Sequence, residues 1–146
     1  MIKKIISTFL VIVIAISLCG SAFASQSNEL TPYASYYLND YTVILSARGN
    51  GVMEVTVDVN GVGVQDVIGV SYIDIEQKVN GTWQYCGTLD ASEHPDFYEY
   101  NSQDYLGSVT FTGTPGVTYR VTVQVYAEKD GGWDTGYITS YTVTCK

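Results

Sequence analysis

Three sets of residues could do chemistry in this chain. The first is nucleophilic. His94 is the only histidine, and Cys86 is one of three cysteines. A His-based nucleophilic site needs a Ser or Cys within hydrogen-bond reach and a carboxylate to orient the imidazole. His94 sits beside Pro95 in an acidic stretch, the setting of a solvated loop histidine. Pairs of carboxylates of the kind glycosidases use can be drawn from almost any two of 15 acids, so that pattern selects nothing. The reading is non-catalytic, with a small exported hydrolase built on residues 90–104 as an alternative.

The second set is metal-ligating. Asp90, Glu93, Asp96, Glu99 and Asp104 crowd one segment with Asn101. All are hard oxygen donors of the type calcium takes six to eight of. Neither EF-hand spacing nor a Gly-rich calcium repeat is present. Calcium is therefore the one cofactor to test, against the plainer reading of solvated charge.

The third set is aromatic. Tyr supplies 13 of the 19 aromatic residues. Tyr72 and Tyr126 fall on the polar faces of alternating segments, Tyr98 and Tyr100 lie in the acidic stretch, and Trp83 and Trp133 flank hairpin turns. Exposed Tyr and Trp build stacking surfaces for sugars and anchors for protein partners. The competing role is cross-strand pairing within a sheet.

The elements that must position these residues follow from hydrophobic pattern. Lys3-Lys4, the apolar run from Ile5 to Leu18 and Ala22-Phe23-Ala24 together predict a signal peptide over residues 1–24, cleaved after Ala24. The apolar run of 14 residues is short of the ~20 that a spanning anchor needs. Removing it leaves 122 residues, enough for one domain with a real core, carrying a formal net charge of −10. That charge excludes nucleic acid and anionic membrane surfaces as partners, because phosphate binding needs clustered Lys and Arg. An extracellular protein or a glycan remains. With no sorting signal after Cys145-Lys146, the expected location is extracellular, either released or held non-covalently at the cell surface.

Residues 25–38 read as a polar linker and residues 39–146 as the folded domain. Strands are expected at 39–47, from Met53 to Val59, 71–79, 82–89, around Val109 and Phe111, 119–127 and 136–145. Gly49-Asn50-Gly51, Asn80-Gly81 and Asp130-Gly131-Gly132 supply hairpin turns. Residues 64–70 read as a loop or crossing, and 90–104 as the one long segment without strand character. Seven strands at roughly ten-residue spacing predict an antiparallel two-sheet β-sandwich. Cys86 and Cys145, the cysteines left after cleavage, suggest one disulfide in an oxidising compartment. Free or intermolecular thiols are the alternative, and would suit a matrix component joined through cysteines or edge strands.

The clearest alternation places Tyr119, Val121, Val123, Val125 and Ala127 inward, directly after the Pro115-Gly116 turn. A Tyr opening such a strand marks a tyrosine corner, its hydroxyl bonded to backbone near 113–115. The run Val109-Thr-Phe-Thr-Gly-Thr-Pro-Gly-Val-Thr-Tyr-Arg-Val-Thr-Val-Gln-Val-Tyr-Ala127, then a Gly hairpin and a final strand, resembles the C-terminal half of fibronectin type III and related immunoglobulin-like modules. The similarity covers about the last forty residues. It departs from the fibronectin pattern where Val55 and Val57 replace the second-strand Trp, and from antibody domains in its cysteine positions. The resemblance implies a binding or spacing unit, by analogy of fold.

The leader generates one expectation of its own. N-terminal sequencing of the protein recovered outside the cell should read from Ser25, and a chain still beginning at Met1 would contradict cleavage.

Overall fold

Three Xaa-Gly pairs set the register of the fold. Asn50-Gly51, Asn80-Gly81 and Asp130-Gly131 all adopt positive φ at both positions, from 51° to 83°. That is the type I′ turn whose twist matches antiparallel strands. In the computed structural model, which describes residues 35–146, these turns join β1 (Leu38–Gly49) to β2 (Val52–Val79), β2 to β3 (Thr82–Asp90), and β5 (Thr118–Lys129) to β6 (Gly132–Thr139). A 3₁₀ turn (Pro95–Phe97) and β4 (Tyr98–Thr112) lie between β3 and β5, and β7 (Val143–Thr144) closes the chain. The signal segment 1–24 and linker residues 25–34 lie outside the described residues. Among the described residues no helix is long and apolar enough to cross a membrane.

All seven strands are antiparallel and hydrogen-bonded into one sheet. The expected all-β fold with about seven strands is present, but the strands are not divided between two separate sheets. The reason is β2, which runs for 28 residues. Its first half pairs with β1 on one edge and β4 on the other. Its second half pairs with β5 and β3. β5 carries β6 and, at its start, β7. The sheet curls about the bend in β2 into a half-barrel. Met53, Val55, Val57 and Val59 from one half and Ile73, Ile75, Val121, Val123, Val125 and Ala127 from the other fill one core.

Residues 64–70 are therefore strand where the sequence reads as loop. The ladder slips between Asn60 and Gln65, and Gly63 turns at φ 75°. Gln65 folds inward, 1% exposed, and its Nε2 donates to the carbonyls of Val62 and Gly63, each at 3.0 Å. Those bonds occupy carbonyls that the slip removes from the ladder. Gln65 Oε1 is buried without a protein partner among the described residues. The acidic stretch also departs from expectation. Tyr98 to Asp104 pair with β2 from Gly69 back to Asn60, so only Ala91–His94 and the 3₁₀ turn remain irregular.

Two side chains tie the ends of the domain. Tyr119 is buried, and its hydroxyl accepts the N–H of Thr114 at 2.9 Å. Asp134 Oδ2 accepts the Ser35 hydroxyl and the N–H groups of Tyr36 and Tyr37 at 2.7–3.0 Å, securing the entry to β1 against β6. These donors, led by Ser35, hold the Asp134 carboxyl below its ordinary 3.8.

A depressed folded pKa contributes stability that is present above the unfolded value and lost as pH falls through the folded one. Acid should therefore loosen residues 35–37 from β6 below about pH 4. Asp134→Asn should lower the thermal midpoint at pH 7 and flatten that acid limb. An unchanged melting curve would contradict the tie. Tyr119→Phe should cost about 1 kcal/mol in urea unfolding.

Candidate functional site

The outward face of the sheet beyond the bend is built by register alone. In β5, Tyr119 to Ala127 point inward at alternate positions, so Gln124, Tyr126 and Glu128 point out. The Asp130-Gly131 turn then places Trp133 opposite Glu128, Thr135 opposite Tyr126 and Tyr137 opposite Gln124. On the other edge of β5, β2 sets Val67 opposite Glu128, Gly69 opposite Tyr126 and Tyr72 opposite Gln124. β4 in turn sets Tyr100 opposite Val67 and Tyr98 opposite Gly69. Three rows across four strands thus bring six aromatic rings onto one surface: Tyr72, Tyr98, Tyr100, Tyr126, Trp133 and Tyr137.

Gly69 is the gap that lets them meet. Its φ is +152°, and a Cβ there would lie 2.0 Å from the Phe97 carbonyl oxygen. Over it Tyr98 and Tyr126 pack edge to face, their centroids 6.0 Å apart. Tyr126 continues to Trp133 at 6.4 Å in a stacked arrangement. Such geometries contribute ~0.5–1.5 kcal/mol each beyond area burial. Yet Tyr100, Trp133 and Tyr137 remain about 60% exposed. A role in sheet packing accounts for Tyr126 and Tyr98 and leaves those three rings in water.

Polar groups are fixed among the rings. The Tyr126 hydroxyl donates to Glu128 at 2.6 Å. Burial, then this carboxylate, pushes its phenol up to about 12. Gln124 donates to the Tyr137 hydroxyl. The neighbouring Tyr137 hydroxyl is the largest cause that raises the Tyr72 phenol above its ordinary value. Beside this network an open groove of about 560 Å³ runs between the end of β3 and the start of β4. Tyr72, Tyr98 and Tyr100 line it with Ser71, Ser92 and Asp90. The Ser92 N–H bonds Asp90 Oδ1 at 2.8 Å and keeps that carboxyl below its ordinary value.

The structure sorts the remaining sequence candidates. Tyr72, Tyr126 and Trp133 come together. Trp83 lies apart, half-buried and capped by the Arg120 guanidinium 4.4 Å from the ring centroid and by Lys78 at 5.6 Å. Arg120 is itself bound to Glu76 at 2.6 and 3.2 Å. The five acids proposed for calcium do not converge, and no group of three His, Cys, Asp or Glu side chains able to hold a metal occurs among the described residues. Pairing from Tyr98 onward draws the segment into a strand and separates them. Asp90 faces the groove, while Asp96 and Glu99 act on buried Tyr105, whose phenol burial and these charges push up to about 12. His94 stacks on buried Phe97 at 4.8 Å. Cys86 and Cys145 are both free thiols, in place of the bridge expected from sequence. Cys86 is exposed at a bulge of β3, bonded to the Ile75 carbonyl, while Cys145 is buried beside Gly113 at the far end of β5.

Tyr137 and Gly69 were missed. Tyr137 was recoverable, because the hairpin fixes it two positions from the row of Tyr126; Gly69 was not, because residues 64–70 become strand only through pairing with β4 and β5.

With this geometry in hand, comparison with known proteins adds little. No protein-family model matches the chain, and no curated protein matches it. Among solved structures, Spo0M, a sporulation control protein from Bacillus subtilis, is similar at 13% identity with a TM-score of 0.42. That alignment covers 70% of this chain, which spans about half (48%) of the length of Spo0M.

The phenol of Tyr126 gives a direct check on the ring network. A raised folded pKa means stability present in full below about pH 10 and lost as pH climbs toward 12. Glu128→Gln should lower the Tyr126 pKa yet leave it above 10, because burial is the larger cause. A titration by NMR in which the substitution changes nothing would contradict the contact.

Proposed function

We propose that the protein is an exported, non-catalytic module of the β-sandwich type that binds a glycan across its aromatic face. The observation that carries this reading is the continuous surface from Trp133 through Tyr126 and Tyr98 to Tyr100, opening into the groove at Tyr72. Flat rings stack on the apolar faces of sugar rings, and adjoining hydroxyl, amide and carboxylate groups meet sugar hydroxyls. Ser71, Ser92, Asp90 and Gln124 supply those partners here. Preordering supports it too, since Tyr126 and Tyr137 are already held by hydrogen bonds and lose little freedom on binding. The corner at Tyr119 supports kinship with immunoglobulin-like and fibronectin type III-like modules.

Asp90 bears on the hydrolase alternative. A general acid in a glycosidase needs a carboxyl whose pKa is raised. Asp90, the carboxylate of the groove, is shifted the other way by Ser92.

Pull-down of the purified protein on insoluble polysaccharides tests the proposal. Retention should be undiminished by chelator, and Trp133→Ala and Tyr126→Ala should each weaken it about tenfold, or ~1.4 kcal/mol. Retention insensitive to both substitutions would place the ligand elsewhere. Loss in chelator would return the site to the acids between Asp90 and Asp104.

A further inference from the structure

We infer that the groove at the end of β3 selects a protonated amino group, so that the preferred glycan carries free amino sugars. This rests on the glycan-binding reading above and names the chemistry of its ligand.

Two features of the groove lead there. Its walls hold three tyrosine rings, Tyr72, Tyr98 and Tyr100, together with one carboxylate, Asp90. A cation over tyrosine faces is attracted by the ring quadrupoles, and a neighbouring carboxylate adds direct charge complementarity. One ring is already oriented, Tyr98 by donating to Ser71 Oγ at 3.4 Å. Arg120 is engaged with Glu76, and Lys78 lies over Trp83. No Lys or Arg lines the groove.

The kind of cation follows from the acceptors. Asp90, Ser71 and Ser92 offer oxygen lone pairs at the groove wall. A quaternary ammonium has no N–H to give them, whereas a primary ammonium has three. Acidic sugars would meet Asp90 and the overall net charge of −8 with repulsion. A hexosamine with a free amine fits both the rings and the acceptors. Its N-acetylated counterpart has the same apolar face but no charge, and one amide N–H in place of three ammonium donors.

The test compares oligomers of glucosamine and of N-acetylglucosamine of equal length, by calorimetry, at a pH where the amine is protonated. The glucosamine oligomer should bind at least about tenfold more tightly, and added salt should narrow the gap. Asp90→Asn, a change at an exposed position, should erase the preference, so that the glucosamine oligomer binds no more tightly than its acetylated counterpart. Trp133→Ala should weaken both oligomers alike. Equal affinities, tighter binding of the acetylated oligomer, or a preference that survives Asp90→Asn would overturn the amine inference and leave the aromatic face standing. No binding of either oligomer, with no retention on any polysaccharide, would overturn both.

Discussion

The structure depends on one strand having to satisfy backbone partners on both edges through a bend. β2 changes neighbours along its length, from β1 to β5 on one edge and from β4 to β3 on the other. A buried peptide group without a partner is costly, so the change must occur within a few residues. Gly63 supplies the turn, and the Gln65 amide bonds the two carbonyls that leave the ladder. The curl of the sheet and its enclosed core follow from that junction. Valines flank it on both sides, which is why a single hydrophobic cluster fills the concave side.

The outer surface follows from the same junction. Once β2 has passed the bend, Val67, Gly69 and Tyr72 face outward and set the level at which β4 and β5 present their tyrosines. Placing a side chain at Gly69 would strike the backbone at Phe97, so the contact between Tyr98 and Tyr126 depends on glycine there. Charge is arranged with equal economy. Arg120 is held between Glu76 and the face of Trp83, so that ring face is covered by a cation.

Much of this was legible because hairpin chemistry and alternation are local. The Asn-Gly and Asp-Gly turns, the inward row of β5 and the corner at Tyr119 could all be read from neighbouring residues. So could the outward placement of Tyr72 and Tyr126. The continuity of β2 could not, because Gly61-Val62-Gly63 carries the local mark of a loop and only pairing with β4 restores the strand. The same non-local pairing turned half of the acidic stretch into strand, scattered its carboxylates and moved Tyr98 and Tyr100 onto the aromatic face. Trp83 and Trp133 looked alike in sequence, each beside a hairpin. Cations above one ring and water above the other separate them, and neither is visible without the sheet.

That difference between the two tryptophans offers the most direct measurement. The chain has two, so labelling with fluorotryptophan gives one resonance from Trp83 and one from Trp133. On titration with a retained glycan the Trp133 resonance should shift and the Trp83 resonance should stay in place. Movement of Trp83 alone, or of neither while binding proceeds, would contradict the assignment of the aromatic face as the ligand surface.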